Sequence, residues 1–242
     1  PLPFVFPFGA LIGGTSQVPP ASTITQTLIN PTNTPAQAVY TVTPLSGNCP
    51  GPSFTVTVTV GNALAPFLNR TAVICSGTAF DVTPTTVPPN TTYTWNIPTV
   101  TPAGSVVGLS AKNTPQTNIS QTLTNITNVT DTVLYTILPY NTGCKGNYFT
   151  ATIRILPLPK ATIAGKSAVC RYPVDTLSVS FTGTSPWSFT YTDGNIVRTQ
   201  TGITTSPYTW VVPVTPLVST RTLVITTVKD FACTNTDTSY FI

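Results

Sequence analysis

The sequence predicts an all-β chain of tandem β-sandwich domains, and three observations lead to this fold class. The chain has 51 Thr and 25 Pro but no Glu and no Met, and Thr and Pro are poor helix formers. Apolar and hydroxyl residues alternate along several stretches, as they do in half-buried strands. Turn residues recur roughly every 8–12 residues, a spacing typical of sandwiches.

The alternation is clearest in four stretches, which we predict to be strands with one face in a core and the other in water. They read FTVTVTV at 54–60, FTATIRI at 149–155, LSVSF at 177–181 and SFTYT at 188–192. Thr on the outer face keeps a high strand propensity while remaining polar. This arrangement explains how a chain of 242 residues can be 40% hydrophobic and only 7% charged.

The same composition argues against several classes of function. The chain has no His, which excludes imidazole bases, Ser-His-Asp triads and His-containing zinc sites. Six scattered Asp and no Glu leave little material for paired-carboxylate catalysis or a calcium site. The ten Lys and Arg are spread singly from Arg70 to Lys229, which argues against nucleic-acid binding. No apolar run approaches the roughly 18 residues of a membrane-spanning helix. We therefore predict no enzymatic activity, no catalytic residue, no cofactor and no metal.

An internal repeat with an offset of 95 residues organises the chain. Residues 24–60 and 119–155 align without a gap, and 15 of the 37 positions are identical. The same offset continues upstream of residue 24. It also relates AVIC at 72–75 to SAVC at 167–170. We predict three units: residues 1–62, a repeat that lacks its N-terminal strands; residues 63–158, a complete repeat; and residues 159–242, a divergent sandwich.

The five cysteines fit this repeat as two pairs and one unpaired residue. Cys75 with Cys144, and Cys170 with Cys233, occupy equivalent places in the second and third units, so we predict these two disulfides. Cys49 is equivalent to Cys144, and its partner position would precede Pro1, so we predict that Cys49 is unpaired. Disulfides favour an extracellular location reached through an oxidising periplasm. Free buried thiols are the alternative. The odd cysteine and the missing initiator Met suggest a piece of a longer chain.

Several strings resemble the PKD-like repeats of very large Bacteroidota surface proteins. They are ICSGTAFDVTP at 74–84, TTYTWNIPTV at 91–100, GLSA at 108–111, ISQTLTN at 119–125 and VYTVTPLSGNCPGPSFTVTVTV at 39–60. In the third unit, GTSPWSFTYTDG at 183–194 and SPYTW at 206–210 resemble a related immunoglobulin-like module. The resemblance implies tandem PKD-like, immunoglobulin-like sandwiches that are secreted, often by the type IX system, and serve as an adhesin, stalk or filament. It implies no catalytic residues.

The resemblance also supplies candidate sites. Proteins of that phylum are glycosylated at Asp-Ser/Thr-aliphatic sequences, which makes Thr132 and Thr176 candidate O-glycosylation sites. Trp95 is expected in the core of a sandwich, whereas Trp187 is a candidate aromatic contact for surface glycans. A carbohydrate-binding module, or a non-catalytic accessory region of a secreted enzyme, is therefore the alternative function.

The expected partners are neighbouring repeats of the same chain or other copies of it. A sandwich that lacks its first strands exposes core residues and strand edges, which favours strand complementation of the first unit.

Overall fold

The structure is a computed structural model that describes residues 1–18, 20–32, 34–61, 64, 67–141, 144–165, 174–213, 222–236 and 240–241. Every regular element longer than a turn in these residues is a β-strand, which confirms the predicted all-β fold class. None of the described segments forms a helix long and apolar enough to cross a membrane. Each sheet draws its strands from only one of the three predicted units, called units one, two and three below.

Unit one contains the first five strands. They are β1 (Phe4–Phe6), β2 (Ala36–Val42), β3 (Leu45–Ser46), β4 (Cys49–Pro50) and β5 (Phe54–Val60). β1, β2 and β5 form an antiparallel sheet in that order, with β2 in the centre. β3 and β4 form a short hairpin. A single bridge joins Ile12 to Ile29 in the layer opposite the sheet.

Unit two contains ten strands in two sheets. They are β6 (Arg70–Cys75), β7 (Thr78–Asp81), β8 (Thr92–Trp95), β9 (Thr99–Thr101), β10 (Val106–Val107), β11 (Lys112–Gln116), β12 (Ser120–Asn125), β13 (Asp131–Asn141), β14 (Cys144–Lys145) and β15 (Phe149–Leu156). One sheet has the order β10-β12-β7 and the other the order β11-β8-β13-β15-β6, with β9 and β14 also paired to β13. β6 runs parallel to β15, and its neighbour along the chain, β7, belongs to the opposite sheet. The segment from β6 to β7 therefore crosses from one layer to the other.

The alternating side chains of both sheets meet between the layers of unit two. Val133, Tyr135 and Ile137 on β13 and Ile153 and Ile155 on β15 are fully buried, as the period of two requires. Their outward neighbours are mostly hydroxyl residues or other polar residues. Burial of these apolar side chains is the main contribution to the stability of the unit.

The repeat in sequence is also a repeat in structure. β1, β2 and β5 occupy the positions of β9, β13 and β15, and the pairing of Phe4 with Val39 matches that of Thr99 with Leu134. The bridge at Ile12 is equivalent to the β10–β12 pair. The duplicated sequence therefore builds the same strand pairing twice.

Identical polar residues hold equivalent loops in both units. The hydroxyl of Tyr135 donates to Oε1 of Gln121 at 2.7 Å, and the hydroxyl of Tyr40 donates to Oε1 of Gln26 at 2.8 Å. Nε2 of each Gln in turn donates to a backbone carbonyl in the loop after β10 or its equivalent, that of Ser110 for Gln121 and that of Thr15 for Gln26. Burial raises the pKa of Tyr135, which keeps its hydroxyl protonated as a donor.

A second matched pair, Asn125 and Asn30, ties the end of one strand to the start of the next. Nδ2 of Asn125 donates to the carbonyls of Val129 and Ile155 at 2.6 and 3.0 Å, while its Oδ1 accepts from the amide of Thr127 at 2.7 Å. Asn30 makes the corresponding bonds in unit one. One buried amide side chain thus satisfies backbone groups that the sheets leave unpaired.

One glycine pair shows why the repeat keeps glycine at that position. Gly13 and Gly108 have φ values of +97° and +93°, in the region that disfavours other residues. A Cβ at either position would collide with a backbone carbonyl oxygen, that of Thr27 or Thr122 respectively. The strand that carries Gln26 or Gln121 can therefore approach this turn only when the turn has glycine.

The described part of unit three contains eight strands. They are β16 (Ala161–Ala164), β17 (Val174–Phe181), β18 (Trp187–Thr192), β19 (Val197–Ile203), β20 (Tyr208–Pro213), β21 (Val224–Lys229), β22 (Thr234–Asn235) and β23 (Tyr240–Phe241). One sheet has the order β16-β17-β20 and the other the order β19-β18-β21-β22, with β23 also paired to β21. At the centre of unit three, the ring of Trp210 packs edge to face against the rings of Phe189 and Tyr191.

The disulfide in the structure differs from the predicted pairs. Cys75 is bonded to Cys233, with a Cα–Cα distance of 5.7 Å, so the bond joins unit two to unit three. The predicted Cys75–Cys144 and Cys170–Cys233 pairs are therefore replaced. Cys144 is a free, half-buried thiol and Cys49 a free, exposed one. Cys170 lies outside the described residues.

Strand direction explains why Cys75 does not reach Cys144. Cys75 pairs with Leu156 at the last position of the parallel β6–β15 ladder, whereas Cys144 pairs with Asn141 at the far end of β13. Since β13 has 11 residues, these two ends of the sheet are separated by roughly 34 Å at about 3.4 Å per residue. A disulfide needs Cα atoms within about 7 Å.

A turn in unit three places Cys233 beside Cys75. Oδ1 of Asp230 accepts from the amides of Ala232 and Cys233, and its Oδ2 accepts from the amide of Thr184. Asp230 itself is buried. At the same junction, Nζ of Lys160 donates to Oδ1 of Asn128 at 3.1 Å.

We predict that Asn125→Ala destabilises unit two by about 2–4 kcal/mol, because buried backbone carbonyls and an amide lose their partner. Hydrogen exchange of the full chain, followed by mass spectrometry, should show faster exchange in β13 and β15 and unchanged exchange in unit three. Asn113→Ala is the matched control, because Asn113 is exposed. Equal effects of the two substitutions would contradict the role given to Asn125.

Tryptic mapping without reductant distinguishes the two cysteine pairings. Trypsin places each cysteine in a separate peptide, namely 1–70, 71–112, 113–145, 167–171 and 230–242. We expect 71–112 to be linked to 230–242, as the Cys75–Cys233 bond requires. Links from 71–112 to 113–145 and from 167–171 to 230–242 would instead support the pairing predicted from the repeat.

Candidate interaction surface

The inner face of unit one is open where the inner face of unit two is covered. We call this surface the open groove and define it by Ile24, Leu28, Tyr40, Phe54 and Val58. It lies between β5 and the segment 24–28. β5 is an edge strand, because its sheet has the order β1-β2-β5 and β5 pairs only with β2 in that sheet.

Exposure at equivalent positions shows how much of the core is uncovered. Phe54 is 52% exposed, whereas the equivalent Phe149 is 2% exposed. Val58 and Ile24 are 37% and 50% exposed, whereas their equivalents in unit two are fully buried. Because the backbone pairing is the same, these differences arise from what lies beside the sheet and not from the fold of the strands themselves.

Two strands of unit two cover the equivalent of the open groove. β6 pairs with β15 along one wall, and β7 pairs with β12 along the other. Phe80 of β7 is buried, with its ring centroid 5.2 Å from that of Tyr135. Phe67, just before β6, stacks on Phe149 at 5.1 Å. The first strand segment of the unit thus completes the core.

The turn between β6 and β7 is bonded to both walls. The amide of Ser76 donates to the carbonyl of Leu156, and the amide of Gly77 donates to the carbonyl of Leu123. Oγ of Ser76 also accepts from the amide of Asn125 at 2.9 Å and donates to its carbonyl. Asn30 and Leu28 provide the equivalent backbone groups at the open groove.

Unit one carries no charged side chain, since the first charged residue of the chain is Arg70. Natural edge strands are commonly protected by Lys or other charges that discourage pairing with a second chain. β15 has Arg154 on its outer face, whereas the equivalent residue of β5 is Thr59. Neither the groove nor its edge strand therefore repels an added strand electrostatically.

A second concave surface lies on the outer face of the larger sheet of unit two. It is a hollow of about 300 Å³ lined by residues that include Asn96, Asn113, Tyr140, Lys145 and Tyr148. The ring of Tyr148 is 67% exposed. Amide side chains beside an exposed aromatic ring offer both hydrogen bonds and a stacking surface.

The structure corrects the role predicted for Trp187. Its side chain is only 9% exposed and stacks on Phe181 with ring centroids 5.6 Å apart. Its Nε1 donates to the carbonyl of Thr182. The hydrophobic burial that stabilises the core of unit three therefore removes this ring from the surface. Trp95, expected in the core, is buried in unit two.

The two candidate glycosylation sites differ in their surroundings. Thr132 is half-buried in the middle of a sheet, with Thr101 and Arg154 opposite it on the flanking strands. Thr176 is exposed on β17. Modification of either residue stays a prediction, and the accessible position of Thr176 suits a glycan better.

Among the described residues, no group of three or more His, Cys, Asp or Glu side chains is arranged to hold a metal ion. The carboxylate of Asp81 accepts hydrogen bonds from Thr83, and these bonds hold the pKa of Asp81 below its usual value. The hydroxyl of Thr83 has the larger effect and its amide the smaller. Such a bond organises the turn after β7.

The sequence identifies the residues of the open groove as apolar positions of the repeat, but it does not identify them as a site. Ile24, Leu28 and Phe54 are identical to Ile119, Leu123 and Phe149, and identity of apolar residues is the ordinary sign of a core. The structure distinguishes the two sets by their exposure: among the described residues, β6 and β7 cover the second set, and no strand covers the first set in the same way.

Comparisons with known proteins bear on the family of the chain. A model of the PKD-like domain family matches residues 9–63 and 72–159. The chain is similar to the FN1–FN3 domains of chicken CNTN1, with 11% identity and a TM-score of 0.38 over 86% of this chain and 74% of that one. It is also similar to the eight N-terminal Ig domains of Down Syndrome Cell Adhesion Molecule, with 10% identity and a TM-score of 0.36 over 89% of this chain and 28% of that one.

No curated protein matches the sequence. The family match extends over units one and two, whose strands repeat the same pairing, and covers more than half of the chain. The chain is therefore a tandem array of immunoglobulin-like β-sandwiches that belongs to the PKD-like domain family.

Proposed function

We propose that the chain is an extracellular structural or adhesive protein whose modules form part of a cell-surface filament or stalk. Its function is mechanical: sandwich units arranged in tandem hold two points of a surface structure at a defined distance. It acts without a catalytic centre, a cofactor or a metal. Domains of this type are typically non-catalytic, which fits a structural role.

The observation that carries the proposal is that one sandwich is repeated and that the second copy, unit two, is joined to unit three by a covalent bond. The Cys75–Cys233 bond spans 158 positions of the sequence and encloses nearly all of units two and three. A spacer under tension gains from such a bond, because the force passes through it without extending the enclosed chain.

The disulfide also supports an extracellular location, because such bonds persist in oxidising compartments. The resemblance of the repeats to giant Bacteroidota surface proteins adds a route, namely export through the periplasm and then by the type IX system. Under this proposal the low charge and abundant Thr form the outer face of a secreted array.

Single-molecule stretching of the full chain from its two ends tests the mechanical role. Without reductant, the enclosed residues should not extend, and only the residues outside the bond should lengthen. Reduction, or the substitution Cys233→Ser, should add roughly 520–570 Å, given 158 residues at about 3.3–3.6 Å each. Cys49→Ser is the matched control, because Cys49 is a free thiol. Equal extension with and without reductant would contradict the proposal. Electron microscopy of native material should show rods or filaments.

Carbohydrate binding is the second candidate function, and the hollow beside Tyr148 favours it. Tyr148→Ala should abolish binding on a glycan array, since an aromatic platform contributes most of the contact area. Trp187→Phe should leave binding unchanged, because Trp187 is buried in another unit. Absence of glycan binding by the unsubstituted chain would exclude this candidate.

A further inference from the structure

The hollow described above lies on the outer face of the larger sheet of unit two, across β11, β8 and β13. β11 contributes Asn113 to its lining and β13 contributes Tyr140. β14 turns back beside β13, so that Lys145 pairs with Tyr140. The amide of Gly146 then donates to the carbonyl of Pro139 at 2.9 Å. These backbone contacts fix the position of Lys145 in the wall of the hollow.

The exposed charges on this face of the sheet are positive. Lys145 pairs with Tyr140 on β13, and Arg154 lies opposite another residue of the same strand, Thr132. Since both partners occupy outward positions of β13, both cations lie on the outer face. Asp131 is the acidic residue of the strands in this sheet, and it is fully buried on the opposite face. An anion that approaches the outer face is therefore attracted and meets no carboxylate of these strands.

The polar groups of the hollow are available to a ligand. Asn96, Asn113 and Lys145 are exposed, and their side chains form no hydrogen bond or ion pair with any other residue that the structure describes. The ring of Tyr148 is 67% exposed in the same lining. An aromatic ring can stack on the apolar face of a sugar, while amide and ammonium groups donate to its oxygens. The lining therefore combines a stacking surface, neutral donors and a positive charge.

The repeat keeps the turn that forms this surface and changes the groups that the turn presents. The amide of Gly51 donates to a proline carbonyl at 2.8 Å, as the equivalent amide does in unit two. At the offset of 95 residues, however, unit one has Pro50 in place of Lys145. It also has Ser53 in place of Tyr148. The two copies of the fold therefore present different chemistry, and the second copy is the one with the charge and the ring.

We infer that the hollow of unit two binds an acidic polysaccharide, whose carboxylate or sulfate group pairs with the ammonium of Lys145. The ring of Tyr148 stacks on the same sugar, and the amides of Asn96 and Asn113 donate to its hydroxyl oxygens. The inference rests on carbohydrate binding, the second candidate function proposed above, and deepens it by naming the charge of the ligand. Carboxylate and sulfate groups present the same negative oxygens to an ammonium group.

The ligand is a polymer, because a second cation lies along the same strand. The partners of Lys145 and Arg154 on β13 are eight residues apart, which corresponds to roughly 27 Å at about 3.4 Å per residue. Between them, Leu134, Thr136 and Leu138 occupy the outward positions, so no charge of β13 interrupts the path. A chain of acidic sugars that follows β13 can reach both cations, whereas a disaccharide reaches one.

Binding of the full chain to matched acidic and neutral polysaccharides tests the inference. Polygalacturonate is compared with its methyl ester, and dextran sulfate with dextran, by biolayer interferometry on the immobilised protein. We expect the chain to bind one acidic polymer at least fivefold more tightly than its neutral counterpart, and the preferred polymer identifies the anionic group. The preference should disappear at about 1 M salt, where charges more than roughly 3 Å apart are screened.

Substitutions separate the effect of the charge from that of the ring. Lys145→Gln should weaken binding of the preferred acidic polymer about three- to fivefold, in the upper part of the range measured for exposed ion pairs, and leave binding of the neutral polymer unchanged. Lys229→Gln removes the same charge from an exposed position of unit three and is the matched control, without effect. Arg154→Gln should weaken binding of the polymer but not of an acidic disaccharide. Tyr148→Ala should abolish binding of acidic and neutral polymers alike.

Equal affinities for acidic and neutral polymers, or equal effects of Lys145→Gln and Lys229→Gln, would overturn the inference and leave glycan binding at Tyr148 standing. Poly-glutamate of matched charge is a further control: if it binds as tightly as the acidic polysaccharide, the surface recognises charge alone and the inference fails. Lack of binding to all four polymers would also overturn it, and the glycan array then decides separately whether the chain binds carbohydrate. None of these outcomes affects the stretching test of the structural function.

Discussion

The structure depends on covering the apolar face that a pair of antiparallel strands presents. The β13–β15 pair and the β2–β5 pair are built from the same alternating sequence, and each places a row of apolar side chains on one side. In unit two, strands on both sides cover that row, and its members are buried. In unit one the same row is partly open. The crossing segment from β6 to β7 provides the cover in unit two. In both units a buried asparagine, Asn30 or Asn125, bonds the opposite layer to the end of β5 or β15.

The period-two pattern and the repeat together were sufficient to predict the fold class and the equivalence of the units, because both follow from local chemistry that recurs in the sequence. The cysteine pairing was not predictable in this way. It depends on which ends of strands meet: Cys75 lies beside Leu156 at the end of β15, whereas Cys144 lies beside Asn141 at the end of β13, on the opposite side of the same sheet. Trp187 was only a candidate aromatic contact, and its burial depends on Phe181, a residue of another strand whose stacking on Trp187 the alternating pattern does not reveal. The matched Gln, Tyr and Asn residues were visible as identities, but their hydrogen bonds were not.

The Cys75–Cys233 bond changes the meaning of the unit boundaries. Units two and three each have their own sheets and their own core, so each satisfies the usual definition of a domain. A covalent bond between the first strand of one and a late turn of the other nevertheless limits their separation. Asp230 makes this possible by holding the turn in which Cys233 lies. Separate cores and a covalent bond between them are thus combined in the same pair of units.

The absence of charge from unit one determines how its stability responds to its surroundings. With no charged side chain before Arg70, unit one has no ion pair that salt could screen, so its stability should be nearly the same in fresh water and in brine. Apolar burial, in contrast, weakens on cooling. The stability of unit one should therefore depend on temperature much more than on salinity.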